Sequence, residues 1–241
     1  MRRSDHFGFT LIELMIAMVI GSILMVAVVS AYQIQVGSKN TQEALTDMNS
    51  TARAALEIMT QELSTAGCDP NNTGTPGIVN AADNDLTVSM DIGNTAGDSF
   101  RPDGLIDGPN EQIRYAINLN GNLGRDRLDG AGLQPLARNV DALDFVYLDG
   151  SNPPLVIASD PLTGVVAAGD LAAIRSIEIT IVARAGRAAP GFMKTTVDNR
   201  TYTNQRGDDL VFANGAPNPP NDSFRRLLLT TTVNCRNLLG N

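Results

Sequence analysis

HFGFTLIELMIAMVIGSILMVAVVSAYQ (His6–Gln33) is as apolar as a membrane span, yet it carries a glutamate at residue 13. From Leu14 to Tyr32 no residue is charged. At about 1.5 Å per residue that stretch would be roughly 28 Å long as a helix, the thickness of a hydrocarbon core. A secretory signal peptide ends its apolar region at a small-residue cleavage site. Here the run continues to about Val36 with no A-x-A site, so it reads as a retained anchor. Arg2 and Arg3 precede it and Lys39 is the next cation after it. That asymmetry favours a cytoplasmic N-terminus, with the residues beyond about 37 on the far side of the membrane. A carboxylate at mid-span costs roughly 2.5–3.5 kcal/mol, and less near an end, where it can snorkel. Glu13 has two readings: an acid lying among headgroups, or an acid held by a partner.

The remaining composition narrows the chemistry. The 241 residues suffice for one good-sized domain or two small ones, and a net charge of -8 argues against an electrostatic grip on nucleic acid. Cys68 and Cys235 are too few for a disulfide scaffold or an all-cysteine zinc site. The single histidine is His6; once the extreme N-terminus is removed, no Ser-His-Asp triad, Cys-His pair or histidine-ligated metal remains possible. No catalytic residues are assigned and no cofactor is implied.

After the span, Leu45, Met48, Ala52, Leu56, Met59, Leu63 and Ala66 follow at steps of three or four, which draws one apolar stripe on a helix. Gly67 suits the position just past a helix end, and Asp69-Pro70 blocks continuation. The spacing predicts one helix from about Phe9 to Ala66, loosened near Gly37-Ser38. Beyond it, residues 70–110 are rich in Gly, Asn, Asp and Pro, with one strand at Asp85–Met90. Further strands are expected at Gln112–Asn118, Ala142–Leu148, Leu155–Ala158, Ile174–Ala183 and Phe224–Asn234. Ile177, Ile179 and Ile181 alternate with Glu178, Thr180 and Val182, as for one buried face. Ala185–Ala216 reads as a long loop, and Asn214–Pro220 is too rich in Pro, Gly and Asn for a regular element.

Gly8-Phe9-Thr10-Leu11-Ile12-Glu13 with the long apolar run resembles the class III leader junction of type IV pilins and pseudopilins. The stretches QIRYAI, PLARNVDALDFVYLDG, IRSIEITIVARA and FRRLLLTTTVNCRN resemble the C-terminal part of PilW-type minor pilins, which are similar to the J-class minor pseudopilin of type II secretion. The resemblance implies an α+β, pilin-like fold, with a long N-terminal helix packed on antiparallel sheets. It divides the chain into a leader (1–8), a transmembrane and assembly helix (9–36), an amphipathic helix half (37–67) and a periplasmic β-rich domain (68–241). It implies cleavage by prepilin peptidase between Gly8 and Phe9, with N-methylation of Phe9. The new ammonium would lie four residues before Glu13, on the same helix face, so Glu13 could neutralise it in its own subunit or in a neighbour. The implied partners are other minor pilins, the major pilin, the inner-membrane assembly platform and, before assembly, lipid. The implied role is a non-enzymatic minor subunit that helps start, and tips, a type IV pilus. A J-class pseudopilin and an adhesin or ligand-binding tip module are the alternatives.

The chain departs from the family's major subunits in having Ser30 where a helix-kinking proline is usual, with no proline before Pro70. Its leader is also less basic, with Asp5 and Phe7. Ala17 and Gly21 make a small-xxx-small pair suited to close helix contact, a pattern that an alanine-rich span also produces by chance.

Three further groups have two readings each. Cys68 and Cys235 would form a disulfide in an oxidising periplasm, worth about 5 kcal/mol in chain entropy less any strain, or would stay as two thiols. Asp98, Asp103, Asp107 and Glu111 offer oxygens for calcium, although Arg101 and Leu105 fall where a loop of that kind needs ligands, and Asp and Gly are also the ordinary turn residues. Arg225, Arg226 and Arg236 make either a basic patch or partners for carboxylates of the same domain. From Cys68 onward there are 14 positive and 20 negative charges, so such carboxylates are plentiful.

Overall fold

The computed structural model describes residues 9–72, 76–93, 102–108, 110–118, 120–186, 197–213 and 215–238. The chain divides into two compact units, Met1–Glu43 and Ala44–Asn241. A single helix, α1 (Leu11–Thr65), contributes to both. It runs unbroken through Ser30, whose hydroxyl bonds back to the Val26 carbonyl at 2.8 Å, and through Gly37-Ser38, where Thr41 bonds back to the Gly37 carbonyl at 2.9 Å. The loosening expected at Gly37-Ser38 is absent. One glycine costs a helix only about 1 kcal/mol, too little to break it.

In the first unit every described residue from Phe9 to Val36 is exposed. In the second unit α1 buries Met48, Ala52, Ala55, Met59 and Leu63, the stripe that the spacing predicts, with Ala55 added. Leu45 and Leu56 lie at its half-buried margin. The helix ends as expected: Gly67 takes a φ of 76°, and its amide leaves the helix to bond the Ser89 carbonyl at 2.9 Å. A side chain at residue 67 would also strike Leu238.

Two antiparallel sheets follow. The first holds β1 (Ile78–Ala81), β2 (Asp85–Ser89), β3 (Gln112–Ile117), β4 (Leu123–Asp126) and β5 (Gln134–Ala137), in sequence order. Asn139, at a φ of 56°, turns the chain into the second sheet. That sheet holds β6 (Val140–Leu148), β7 (Val156–Ile157), β8 (Ser176–Arg184) and β9 (Arg226–Asn234), in the order β7-β6-β8-β9. The sheets meet through backbone bonds from Phe145 to the Asp83 carbonyl and from Val140 to the Gly121 carbonyl, each 2.7 Å, and the Tyr147 hydroxyl donates to the Ala82 carbonyl. Met59 and Leu63 of α1, Leu86, Ile113, Tyr115, Phe145, Ile177, Ile179 and Val233 share one core. The architecture is a long N-terminal helix packed against antiparallel sheets.

Two departures from the sequence pattern have physical causes. β8 is buried on both faces, not one. Residues 197–213 lie over its outer side, where Tyr202, Leu210 and Phe212 pack on Ala142 and Val182. The Glu178 carboxylate, which alternation pointed at solvent, pairs there with Arg206 at 2.8 Å. Of the stretch expected as loop, residues 197–213 thus form an irregular second layer, and residues 187–196 lie outside the described residues.

The second departure is a charge lock between helix and sheet. Glu62 of α1 accepts from Tyr115 on β3 and from Arg125 on β4, whose Nε lies 2.9 and 3.0 Å from the two carboxylate oxygens. Arg125 also donates to Asn110. Both partners of this pair are mostly shielded, with side-chain exposures of 19% and 25%. Removing one charge leaves the other poorly solvated. Glu62→Gln is expected to destabilise the detergent-solubilised full chain by about 2 kcal/mol, measured as a lower thermal midpoint by circular dichroism, whereas the exposed Glu57→Gln leaves the midpoint unchanged.

Candidate assembly site at the helix N-terminus

α1 opens on Thr10-Leu11-Ile12-Glu13, which folds as a reciprocal cap. The Thr10 hydroxyl accepts from the Glu13 amide at 3.3 Å, while Glu13 Oε2 accepts from the Thr10 amide and hydroxyl, each at 3.0 Å. The carboxylate is thereby turned back toward the N-terminal end of the helix, one residue from the backbone nitrogen of Phe9. Both bonds use Oε2, and among the described residues Oε1 has no partner. Negative charge is favoured there by the unpaired amides of the first turn. The T-x-x-E pattern is the sequence signature of such a cap. Phe9 is 91% exposed; Gly8 lies outside the described residues.

From Leu11 to Val36 the helix presents exposed apolar side chains on all sides. Ser22 and Ser30 hide their hydroxyls by bonding to the Val19 and Val26 carbonyls. A side chain at Gly21 would meet open space within its own chain. Among the described residues, α1 is the one helix long and apolar enough to cross a membrane.

The other candidate groups are distributed differently. Cys68 and Cys235 are both thiols in this structure, so the expected bond is not formed here, though Cys235 lies in the main core and the half-buried Cys68 packs against it. Burial, then the charges of Asp91 and Asp69, push the Cys68 thiol up, and burial pushes Cys235 up to about 12. At both sites burial favours the protonated thiol. Of the calcium candidates, Asp98 lies outside the described residues. Glu111 is fully buried and already saturated: its oxygens accept from the amides of Ile92, Gly93, Asp107 and Gly108 at 2.6–3.0 Å. Amide donors aimed at both oxygens make it a loop organiser and a poor cation ligand. Asp103 accepts from the Leu105 amide in a turn. No three Asp, Glu, His or Cys side chains group as metal ligands among the described residues.

The three arginines separate as well. Arg226 is buried and bonds Asp141, Asp198 and Asp222, with Phe212 beneath its guanidinium. Arg225 and Arg236 are exposed. A cavity of about 480 Å³ in the same domain is lined by Asp83, Asp144, Asn204 and Asp208 among others. Burial, reinforced by the charges of Asp83 and Asp208, raises Asp144 to about 6, against a counteracting bond from Asn204.

Residues 3–29 match the family described as the prokaryotic N-terminal methylation motif. A solved type IV-like pilin from Thermus thermophilus aligns over 79% of this chain and 97% of its own, at 14% identity and a TM-score of 0.43. No curated protein matches the chain.

The raised Asp144 gives a testable pH effect. Its neutral form is favoured in the fold, so the protein carries no penalty from it below pH 4. It loses stability as pH rises from about 4 to about 6, and the loss persists above. Asp144→Asn is expected to raise stability at pH 7.5 by about 1 kcal/mol, solvent screening holding the effect below the full linkage value, and to leave stability at pH 4 unchanged. Thermal melts of the two full-length proteins at both pH values measure it.

Proposed function

We propose that the chain is a minor pilin of the PilW type, an inner-membrane subunit that helps start, and tips, a type IV pilus. The observation that carries this reading is the Glu13 carboxylate, turned back to the start of a helix whose first half has no protein to bury against. Cleavage between Gly8 and Phe9 by prepilin peptidase would create an ammonium within reach of the unpartnered Glu13 Oε1. The match of residues 3–29 to the methylation motif supports that processing. In lipid, the subunit would be an anchor with an acid near one membrane face. In a filament, its apolar surface would meet like helices, and an amine–carboxylate pair would set the axial register, since any other register buries an unpaired charge.

The role is structural, and the partners are the other minor pilins, the major pilin and the membrane assembly platform. The domain beyond the span lies in the periplasm and, after assembly, at the cell surface. In that oxidising compartment the shared core of Cys68 and Cys235 suits a bond between them.

Mass analysis of the mature chain is expected to find a methylated Phe9 at its N-terminus; a chain beginning at Met1 contradicts the reading. Glu13→Gln, which keeps the shape and removes the charge, is expected to remain in the membrane at normal level and to enter filaments at least about tenfold less well, a loss of roughly 1.4 kcal/mol or more. Deleting the gene should abolish surface fibres while exoprotein secretion continues. The opposite pattern would assign the chain to a type II secretion pseudopilus as its J-class subunit.

A further inference from the structure

β9 differs from every other sheet edge in this protein. Among the described residues four strands have an open side: β1 and β5 in the first sheet, β7 and β9 in the second. Exposed edges invite pairing with other chains, and proteins blunt them with short length, bulges, proline or charge. β1 has four residues and an irregular register. β5 has four residues, includes Pro135 and is also irregular. β7 has two residues. β9 has nine, pairs with β8 over its whole length without a shift, and contains no charge and no proline from Leu227 to Val233.

The register shows which groups face outward. The Ala185 amide bonds the Arg225 carbonyl at 2.8 Å and the Cys235 amide bonds the Arg175 carbonyl at 2.9 Å, in phase with the ladder between them. Antiparallel pairing alternates, so Leu227, Leu229, Thr231 and Val233 spend their backbone groups on β8. Leu228, Thr230 and Thr232 point theirs away, and among the described residues nothing bonds them. The side chains of these three are exposed too. Gln205, the nearest cover, reaches only the Thr231 carbonyl.

Charge selects the occupant. Arg225 and Arg236 stand exposed at the two ends of the strand, and neither forms an ion pair among the described residues. Two copies pairing antiparallel about Thr230 would set the Arg225 of each opposite Cys235 of the other, one residue from its Arg236. Pairing in parallel would set like beside like. Both arrangements bring cations close to cations across the strand pair, which is unfavourable. A segment with an uncharged, β-branched centre and a carboxylate at each end meets both cations and the open amides.

We propose that β9 accepts a strand from a different subunit of the same assembly, an extended uncharged segment bounded by Asp or Glu, added by main-chain hydrogen bonds to the edge. This rests on the reading of the chain as a filament subunit. The test is a photocrosslinking amino acid placed at Leu228 of the full-length protein in assembling cells, with the same group at exposed Leu162 as control. The expected product joins residue 228 to an acid-flanked peptide of a second subunit, with no product of that kind from residue 162. Thr230→Pro removes one outward amide without touching the β8 ladder and should lower the yield at least about tenfold, whereas Thr230→Val should preserve it. Arg225→Glu with Arg236→Glu should lower it as well, through folded chains with unchanged thermal midpoints. Should the proline variant not fold, Thr230→Lys, a charge on an exposed side chain, replaces it with the same expectation. Wild-type chain present in filaments with no crosslink from residue 228, with a crosslink only to its own copies, or with a yield indifferent to these substitutions would overturn the strand addition and leave the subunit reading intact. Wild-type chain absent from every assembly would overturn both.

Discussion

The first half of α1 has a closed backbone and an open surface, and most of what the protein does follows from that. Helical bonding satisfies its peptide groups, and Ser22 and Ser30 turn their hydroxyls inward on the same backbone. What remains is an apolar cylinder with every described side chain from Phe9 to Val36 exposed. Water is a poor solvent for such a surface, and no described residue of its own unit covers it. Lipid and a bundle of similar helices are the two environments that do, and both solve the same hydrophobic problem. Neither by itself specifies register. A charged group at a defined height would, and that is the role proposed here for the one glutamate in the first turn.

The second half of α1 is built on the opposite principle. Its stripe of Met48, Ala52, Ala55, Met59 and Leu63 is buried by apolar packing. Apolar packing of this kind is tolerant of sliding. The Glu62 contacts with Tyr115 and Arg125 remove that tolerance by tying one turn of the helix to two neighbouring strands. At the far side of the second sheet, Arg226 does the same for the irregular layer, gathering Asp141, Asp198 and Asp222 around one buried guanidinium. Partly shielded ion pairs contribute little net stability when intact but cost much when broken, so their value here lies in fixing position.

Much of this was legible in the sequence, for reasons that also explain what was not. α1, its apolar stripe and its glycine stop were visible because helical periodicity over many turns is a strong signal. β2, β3, β6, β8 and β9 were visible because their runs are β-branched and apolar. β1, β4 and β5 were not; LGRD and QPLA have four residues each, with Gly or Pro among them, and acquire strand geometry only from the neighbours they pair with. The burial of Glu178 could not be foreseen either, since it depends on a loop more than 20 residues away in sequence. At the candidate site, Glu13 stood out as a misplaced charge, and its bonds to Thr10 show how one chain holds it. The carboxylates near Glu111 left two readings open, because an acid that organises backbone amides and an acid that binds a cation look alike until the donors are in view.

The claim on which the account turns is that the surface of α1 between Leu11 and Val36 is covered by lipid before assembly. A nitroxide attached at residue 23, in a full-length chain with Cys68 and Cys235 replaced by serine and held in vesicles, reports this through its collision rates with oxygen, which partitions into lipid, and with a polar nickel chelate, which does not. High oxygen and low nickel accessibility at residue 23, reversed at an exposed position such as residue 57, is the predicted result. Free access of the nickel chelate to residue 23 would contradict it.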